Sequence, residues 1–127
     1  MPTEDTLSED LPPIGPEEVT AFREATLSSH CPGIPPTWAT LYRQCEFRWL
    51  ARLEVDLQHL LHVDQEYEYL EPLAEGERPR VETRLVEQRE RRGLLLLAFE
   101  SVISVGGRPK VRARTGFFVR VPHGDAQ

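Results

Sequence analysis

The sequence predicts an α+β fold in which an antiparallel sheet packs around one long central helix. Between residues 37 and 53, apolar side chains recur every three or four positions, which is the spacing of one helical face. From residue 61 onward the period changes to two, the spacing of a strand with two different faces. Turns rich in glycine separate the strands that follow, so they form an antiparallel meander that has a helix to cover.

The central helix is predicted to open at Pro35-Pro36-Thr37, because the first turn of a helix makes no use of the N–H groups that prolines lack. Cys45 falls within its apolar stripe and is predicted to be a small core residue. A shorter helix is predicted over Glu17–Ala25. The members of the central stripe are Trp38, Leu41, Tyr42, Cys45, Trp49 and Leu53.

Four strands are predicted after the helix, and the third has apolar residues on both faces. The run Leu94-Leu95-Leu96-Leu97 has no polar side, so a second layer must cover this strand, and we expect a dimer. In the first strand, His62, Asp64, Glu66 and Glu68 are expected to share a polar face. The predicted strands span residues Leu61–Tyr69, Arg80–Glu90, Leu94–Val105 and Val111–Val121.

The charge distribution divides the 127-residue chain into a tail and one domain. Six of the 21 acidic residues precede residue 19, where no basic residue occurs, and the remainder balances its 15 bases. We therefore predict an acidic, proline-rich mobile tail over residues 1–17, a single domain over 18–121 and a second tail over 122–127. The balanced body excludes a nucleic-acid or anionic-membrane surface, since both require concentrated positive charge.

The remaining composition predicts a soluble cytoplasmic protein without a metal or cofactor. Cys31 and Cys45 are 14 residues apart with no CxxC, which indicates neither a disulfide framework nor a zinc site. The sequence shows no signal peptide and no run of 18 apolar residues that would span a membrane.

Three segments resemble one known family. "GIPPTW" opens the central helix, "HVDQEYEYLEPLAEGE" forms the first strand and its turn, and "RARTGFFVR" lies in the last strand. Together they resemble the hotdog fold of the N-terminal, FAS1-like half of MaoC-type dehydratases. The resemblance implies acyl thioesters of CoA or acyl carrier protein as ligands, with the acyl chain along the central helix. The substrate-binding residues it implies are Pro36, Thr37, Trp38, Leu41 and Tyr42.

This chain differs from the active members of that family at the catalytic residues. Active members carry the motif D-x-N-P-(I/L/V)-H before the helix, and no copy of it occurs in this sequence. Active members also use a glycine N–H at the helix start to polarise the thioester carbonyl, where this chain has Pro35 and Pro36. The expected role is a non-catalytic subunit of an (R)-3-hydroxyacyl dehydratase or enoyl hydratase, paired with a catalytic hotdog subunit as a heterodimer or heterotetramer.

Two residues leave other functions open. Glu46 flanks the helical stripe and His30 precedes it, so either residue could serve a homo-oligomeric hotdog thioesterase. For Glu46, the preferred interpretation is an exposed helical residue that pairs with Arg43 or Arg52. A third possibility is an acyl-binding protein without chemistry. For the acids after His62, a solvated strand face that pairs with Arg80, Arg84 or Arg112 is preferred over a metal site.

Overall fold

The computed structural model describes residues 6–27 and 33–120, which form five strands and four helical segments. Two segments are α-helices and two are 3-10 helices, and the last four strands follow one another without an intervening helix. In chain order the elements are β1 Thr6–Asp10, α1 Pro16–Ala25, a 3-10 helix Pro36–Leu41, α2 Gln44–Arg52, a 3-10 helix Leu57–His59, β2 Leu60–Tyr69, β3 Pro79–Arg91, β4 Leu94–Val105 and β5 Arg108–Arg120.

All five strands join one antiparallel sheet in the order β1-β3-β4-β5-β2. The hairpin between β3 and β4 turns at Arg92 and Gly93, with φ values of 55° and 81°. Positive φ at both positions is the requirement of a two-residue turn that matches the twist of the strands. The predicted α+β class, with one antiparallel sheet around a helical segment, is confirmed.

The hydrophobic core lies between the inner face of the sheet and the helices, in two clusters. One cluster joins Trp49 and Leu50 of α2 to Phe99 and Phe117 of the sheet. The other surrounds the 3-10 helix at residues 36–41 and lies at the opposite end of β4 and β5. Its fully or nearly fully buried members are Leu11, Ile14, Val19, Trp38, Ala39, Tyr42, Cys45, Leu73, Val81, Ile103 and Val111.

The central helix is broken, contrary to the prediction of one continuous helix. A 3-10 helix covers residues 36–41, and α2 starts only at Gln44. The Thr40 hydroxyl donates to the Thr37 carbonyl at 2.7 Å, a local bond that competes with the α-helical pattern. Tyr42 then leaves helical geometry, with φ −107° and ψ 52°. The apolar spacing is retained through the break, so the periodicity alone did not reveal it.

The N-terminal segment is also ordered where the sequence predicts a mobile tail. Residues Thr6–Asp10 pair with β3, and Arg80 of β3 contacts the Asp10 carboxylate at 2.9 Å. Leu11 and Ile14 follow and are buried, at 7% and 2% exposure. The acidic composition hid this strand because its partner supplies the pairing and the base. Residues 1–5 and 122–127, also predicted as tails, lie outside the described residues.

Candidate functional site

An apolar cleft of about 380 Å³ opens beside the 3-10 helix at residues 36–41. Its walls come from the segment after β1, from α1 and from the start of the helical region. Of the predicted binding residues, Trp38, Leu41 and Tyr42 line it; Thr37 does not, and the side chain of Pro36 lies outside the described part. The lining residues are Leu11, Pro12, Pro13, Ile14, Gly15, Glu18, Ala21, Phe22, Trp38, Leu41, Tyr42 and Gln44.

Trp38 and Tyr42 form the rigid inner wall of this cleft. The indole Nε1–H of Trp38 donates to the Tyr42 hydroxyl at 2.7 Å, and the edge of one ring meets the other at a centroid distance of 6.4 Å. Phe22 of α1 packs against Trp38 at 5.1 Å in the same edge-to-face manner. Burial raises the pKa of Tyr42, so its hydroxyl, already neutral at physiological pH, stays neutral into the alkaline range. The wall therefore presents neutral aromatic surface.

Glu46 lies inside the protein, which overturns the expectation of an exposed helical residue. Its side chain is 2% exposed, and the predicted pairing with Arg43 is present, with Arg43 Nε 2.9 Å from Glu46 Oε1. The Thr115 hydroxyl of β5 donates to the other oxygen, Oε2, at 2.7 Å. Thr115 in turn accepts from the Gln65 amide of β2 at 2.6 Å. These four residues form a polar network, Arg43-Glu46-Thr115-Gln65, that joins α2 to two strands.

The hydrogen bonds of this network account for the burial of the Glu46 carboxylate, so a catalytic role is not needed to explain it. Both carboxylate oxygens of Glu46 accept hydrogen bonds, so neither is directed at an open cavity. Thr115 and Gln65 were missed as partners by the sequence reading. The sequence feature that could have identified them is a polar residue at an inward-facing position of a strand whose other inward-facing residues are apolar. His30, the other candidate, lies outside the described residues.

The predicted row of His62 and three acids is divided by a bulge in β2. The register shifts between His62 and Asp64, so His62 lies opposite Phe117 on the inner side and Asp64 lies opposite Gly116 on the outer side. The His62 ring contacts the Phe117 ring in a tilted arrangement, with a centroid distance of 5.4 Å. Asp64, Glu66 and Glu68 remain together on the outer face, exposed to solvent. The alternating pattern correctly predicted that the three acids share the outer face. It was wrong for His62, because the bulge adds one residue to β2 between His62 and Asp64.

In the described part of the chain, the three bases expected to pair with these acids do not pair with them. Arg80 pairs with Asp10 and Glu82, and Arg84 pairs with Glu100. Within residues 6–27 and 33–120, Arg112 makes no ion pair within 4 Å. The same part of the chain holds no group of three His, Cys, Asp or Glu residues arranged for a metal ion.

Comparison with known proteins supplies the family. The model of the FAS1-like dehydratase domain region matches residues 21–109, and the chain belongs to that family. No protein of curated function matches the chain significantly. None of the helices in the described part is long and apolar enough to cross a membrane.

Solved structures share the fold at low sequence identity. HtdX of Mycobacterium tuberculosis is 23% identical with a TM-score of 0.78, over 91% of this chain and 51% of HtdX, so the chain spans about half of that protein. The HadBC (3R-hydroxyacyl-ACP dehydratase) complex of the same organism is 16% identical with a TM-score of 0.71, over 89% and 95% of the two chains. The ChsH1–ChsH2 complex, also from M. tuberculosis, is 11% identical with a TM-score of 0.72, over 98% and 89%.

Proposed function

We propose that this chain is an acyl-thioester-binding hotdog subunit of an (R)-3-hydroxyacyl dehydratase or enoyl hydratase that depends on a catalytic partner. The observation that carries the proposal is the apolar cleft walled by Trp38 and Tyr42. Its volume of about 380 Å³ lies within the range of small-molecule sites, and its lining is mostly apolar. An extended acyl chain suits that lining because burying each methylene contributes about 0.8 kcal/mol.

The chain's own residues support binding rather than proton transfer. The Asp/His motif of active members is absent from the sequence, and Pro35 and Pro36 provide no N–H to a thioester carbonyl. Positioned acid/base groups contribute about 10²–10⁴-fold to such reactions, and an oxyanion-hole donor contributes about 10²–10³-fold. A subunit without both should shape the acyl site while a partner moves the proton.

The free edge of β2 supports the existence of such a partner. Within residues 6–27 and 33–120, this ten-residue strand ends the sheet, and β5 occupies only one of its two edges. Apolar side chains of the strand itself are exposed: Leu61 is 63% exposed and Val63 is 45% exposed. A hotdog partner paired along β2 would bury them. HadBC and ChsH1–ChsH2 are each described as a complex of two components, which fits this arrangement.

The proposal is tested with the isolated chain and 2-octenoyl-CoA. Binding is followed by isothermal titration calorimetry, which needs no tryptophan in the cleft, and hydration by loss of the enoyl absorbance. We expect binding without hydration above the uncatalysed rate, and about tenfold weaker binding for Trp38→Ala, since its wall of the cleft is lost. Leu94→Ala, at an exposed position on the sheet's far end, is the control and should bind as the wild type does.

Three outcomes would contradict the proposal. Hydration by the isolated chain at an enzyme-like rate would show that it is catalytic by itself. Release of free CoA that Glu46→Gln abolishes would instead establish the thioesterase with Glu46 as its catalytic group. If the chain binds no acyl-CoA, with or without a partner, the resemblance holds for the fold and does not extend to the function.

A further inference from the structure

The outer face of β2 carries a row of three acids beside the strand's free edge. The acidic row consists of Asp64, Glu66 and Glu68, all exposed. Within the described residues none of the three forms an ion pair with a base within 4 Å. In the described part of the chain β2 ends the sheet, so a strand that pairs along it would place its own side chains beside these acids.

The neighbouring strand β5 offsets this charge incompletely. Asp64 lies opposite Gly116, which has no side chain to offer. Glu66 lies opposite Arg114, whose guanidinium contacts Glu100 at 3.3 Å and Glu87 at 3.5 Å. Glu68 lies opposite Arg112. The Asp64 carboxylate leans over Gly116, and all three acids stay on the outer face, where the side chains of a strand paired along the free edge would be their cross-strand neighbours.

A second copy of this chain is a poor occupant of that edge. Two copies related by a two-fold axis present the same strand to each other in antiparallel orientation. If β2 pairs with β2 near its middle, with both sheets facing the same way, the acidic rows of the two copies become cross-strand neighbours. Like charges in directly opposed positions are separated by about 5 Å and destabilise the pair.

We propose that the acidic row selects a different hotdog chain as the partner, one whose edge strand carries Arg or Lys at alternate positions of its outer face. The exposed apolar residues Leu61 and Val63 indicate that another chain covers this edge, and the charge beside them selects which chain it is. This inference rests on the proposed partner dependence and adds the chemistry by which that partner is recognised.

The test uses a charge-reversed variant of this chain as the basic partner and the wild-type chain as the acidic partner. A variant combining Asp64→Lys, Glu66→Lys and Glu68→Lys is mixed in equal amounts with isotopically labelled wild type, and native mass spectrometry counts the dimers. Random pairing gives as many mixed dimers as self-dimers of both kinds together. We expect mixed dimers to exceed self-dimers by about tenfold or more at about 50 mM salt, and the excess to shrink at about 500 mM.

A matched control reverses three exposed acids away from β2, with Glu24→Lys, Glu75→Lys and Glu90→Lys in one chain. Mixed with wild type, it should show no comparable excess, because these positions do not adjoin the free edge. Circular dichroism verifies that both triple variants fold, and Glu66→Lys alone replaces the first if it does not.

Random pairing in the first mixture, or wild-type self-dimers as abundant as mixed dimers, would overturn the inference. Absence of mixed dimers at every salt concentration would also overturn it. Acyl-CoA binding is measured on the same samples, because the Trp38 cleft lies away from the acidic row. Charge-selective pairing with no acyl binding would refute the proposed function alone, whereas acyl binding with random pairing would refute this inference alone.

Discussion

Replacing Glu46 by glutamine should destabilise the protein, because the structure gives this buried carboxylate a structural role. The substitution keeps the size of the side chain and removes its charge. The carboxylate now accepts from Arg43 and from Thr115, and a glutamine amide can offer an oxygen to only one of these donors. The other donor then faces an NH₂ group inside the protein.

The expected loss is about 2–3 kcal/mol in the free energy of unfolding. A hydrogen bond to a charged group contributes about 1.5–3 kcal/mol, and removing one partner of a fully buried ion pair costs about 3–5 kcal/mol. Arg43 is 22% exposed, so water compensates part of its loss and the lower range applies. For a domain of this size, the loss corresponds to a decrease in Tm of about 10 °C.

Urea unfolding, followed by tryptophan fluorescence and circular dichroism, measures the loss. Thr115→Val removes the same bond from the other side with little change in volume and should cost a similar amount. Glu24→Gln, an exposed acid on α1, is the control and should remain within about 0.5 kcal/mol of wild type. A Glu46→Gln protein as stable as the control would refute the structural role of the network.

Two further predictions concern the tyrosines. Tyr42→Phe deprives the buried Trp38 indole of its acceptor and should lower the free energy of unfolding by about 1–3 kcal/mol, measured by urea unfolding; an unchanged value would contradict the hydrogen bond. Burial raises the pKa of Tyr42, Tyr67 and Tyr69 above 10.0 in the folded state. Their contribution to the free energy of unfolding is full below pH 10.0 and declines as the pH rises toward their folded-state pKa values. The urea midpoint should therefore fall in that alkaline range. A midpoint that does not change with pH would contradict the burial of the tyrosines.

The order of elements was predictable because hydrophobic period and turn chemistry are local properties of the sequence. The change of period after residue 60 marked the end of the helical region, and glycines marked the hairpins. Predicted strand ends lie within a few residues of those observed, as with Leu94–Val105, where prediction and structure agree. Local signals of this kind require no knowledge of which strands become neighbours.

The features that the sequence did not reveal depend on contacts between distant residues. β1 is acidic and short, and it forms by pairing with β3, which lies 70 to 78 positions away. The bulge beside Val63 is visible only as a shift in register against β5. The burial of Glu46 follows from Thr115, 69 residues away, which supplies the hydrogen bond that makes a buried carboxylate tolerable.

The site was predicted in part, for the same reason. The helical stripe identified Trp38, Leu41 and Tyr42, and the structure places all three on the cleft. The opposite wall, formed by Ile14 and Phe22, belongs to segments whose position relative to the helix no local pattern encodes. Whether the cleft accepts an acyl chain remains the central prediction.

The indole N–H signals of Trp38 and Trp49 in an NMR titration with octanoyl-CoA test that prediction most directly. Trp38 lines the cleft and donates to Tyr42, whereas Trp49 is buried under the sheet and donates to the Thr83 carbonyl at 3.0 Å. The two signals therefore report on the site and on a matched internal control. We expect the Trp38 signal to shift with saturation and the Trp49 signal to stay in place. A saturating shift of Trp49 with none at Trp38, or no saturating shift of either signal, would contradict the proposal that this cleft binds acyl thioesters.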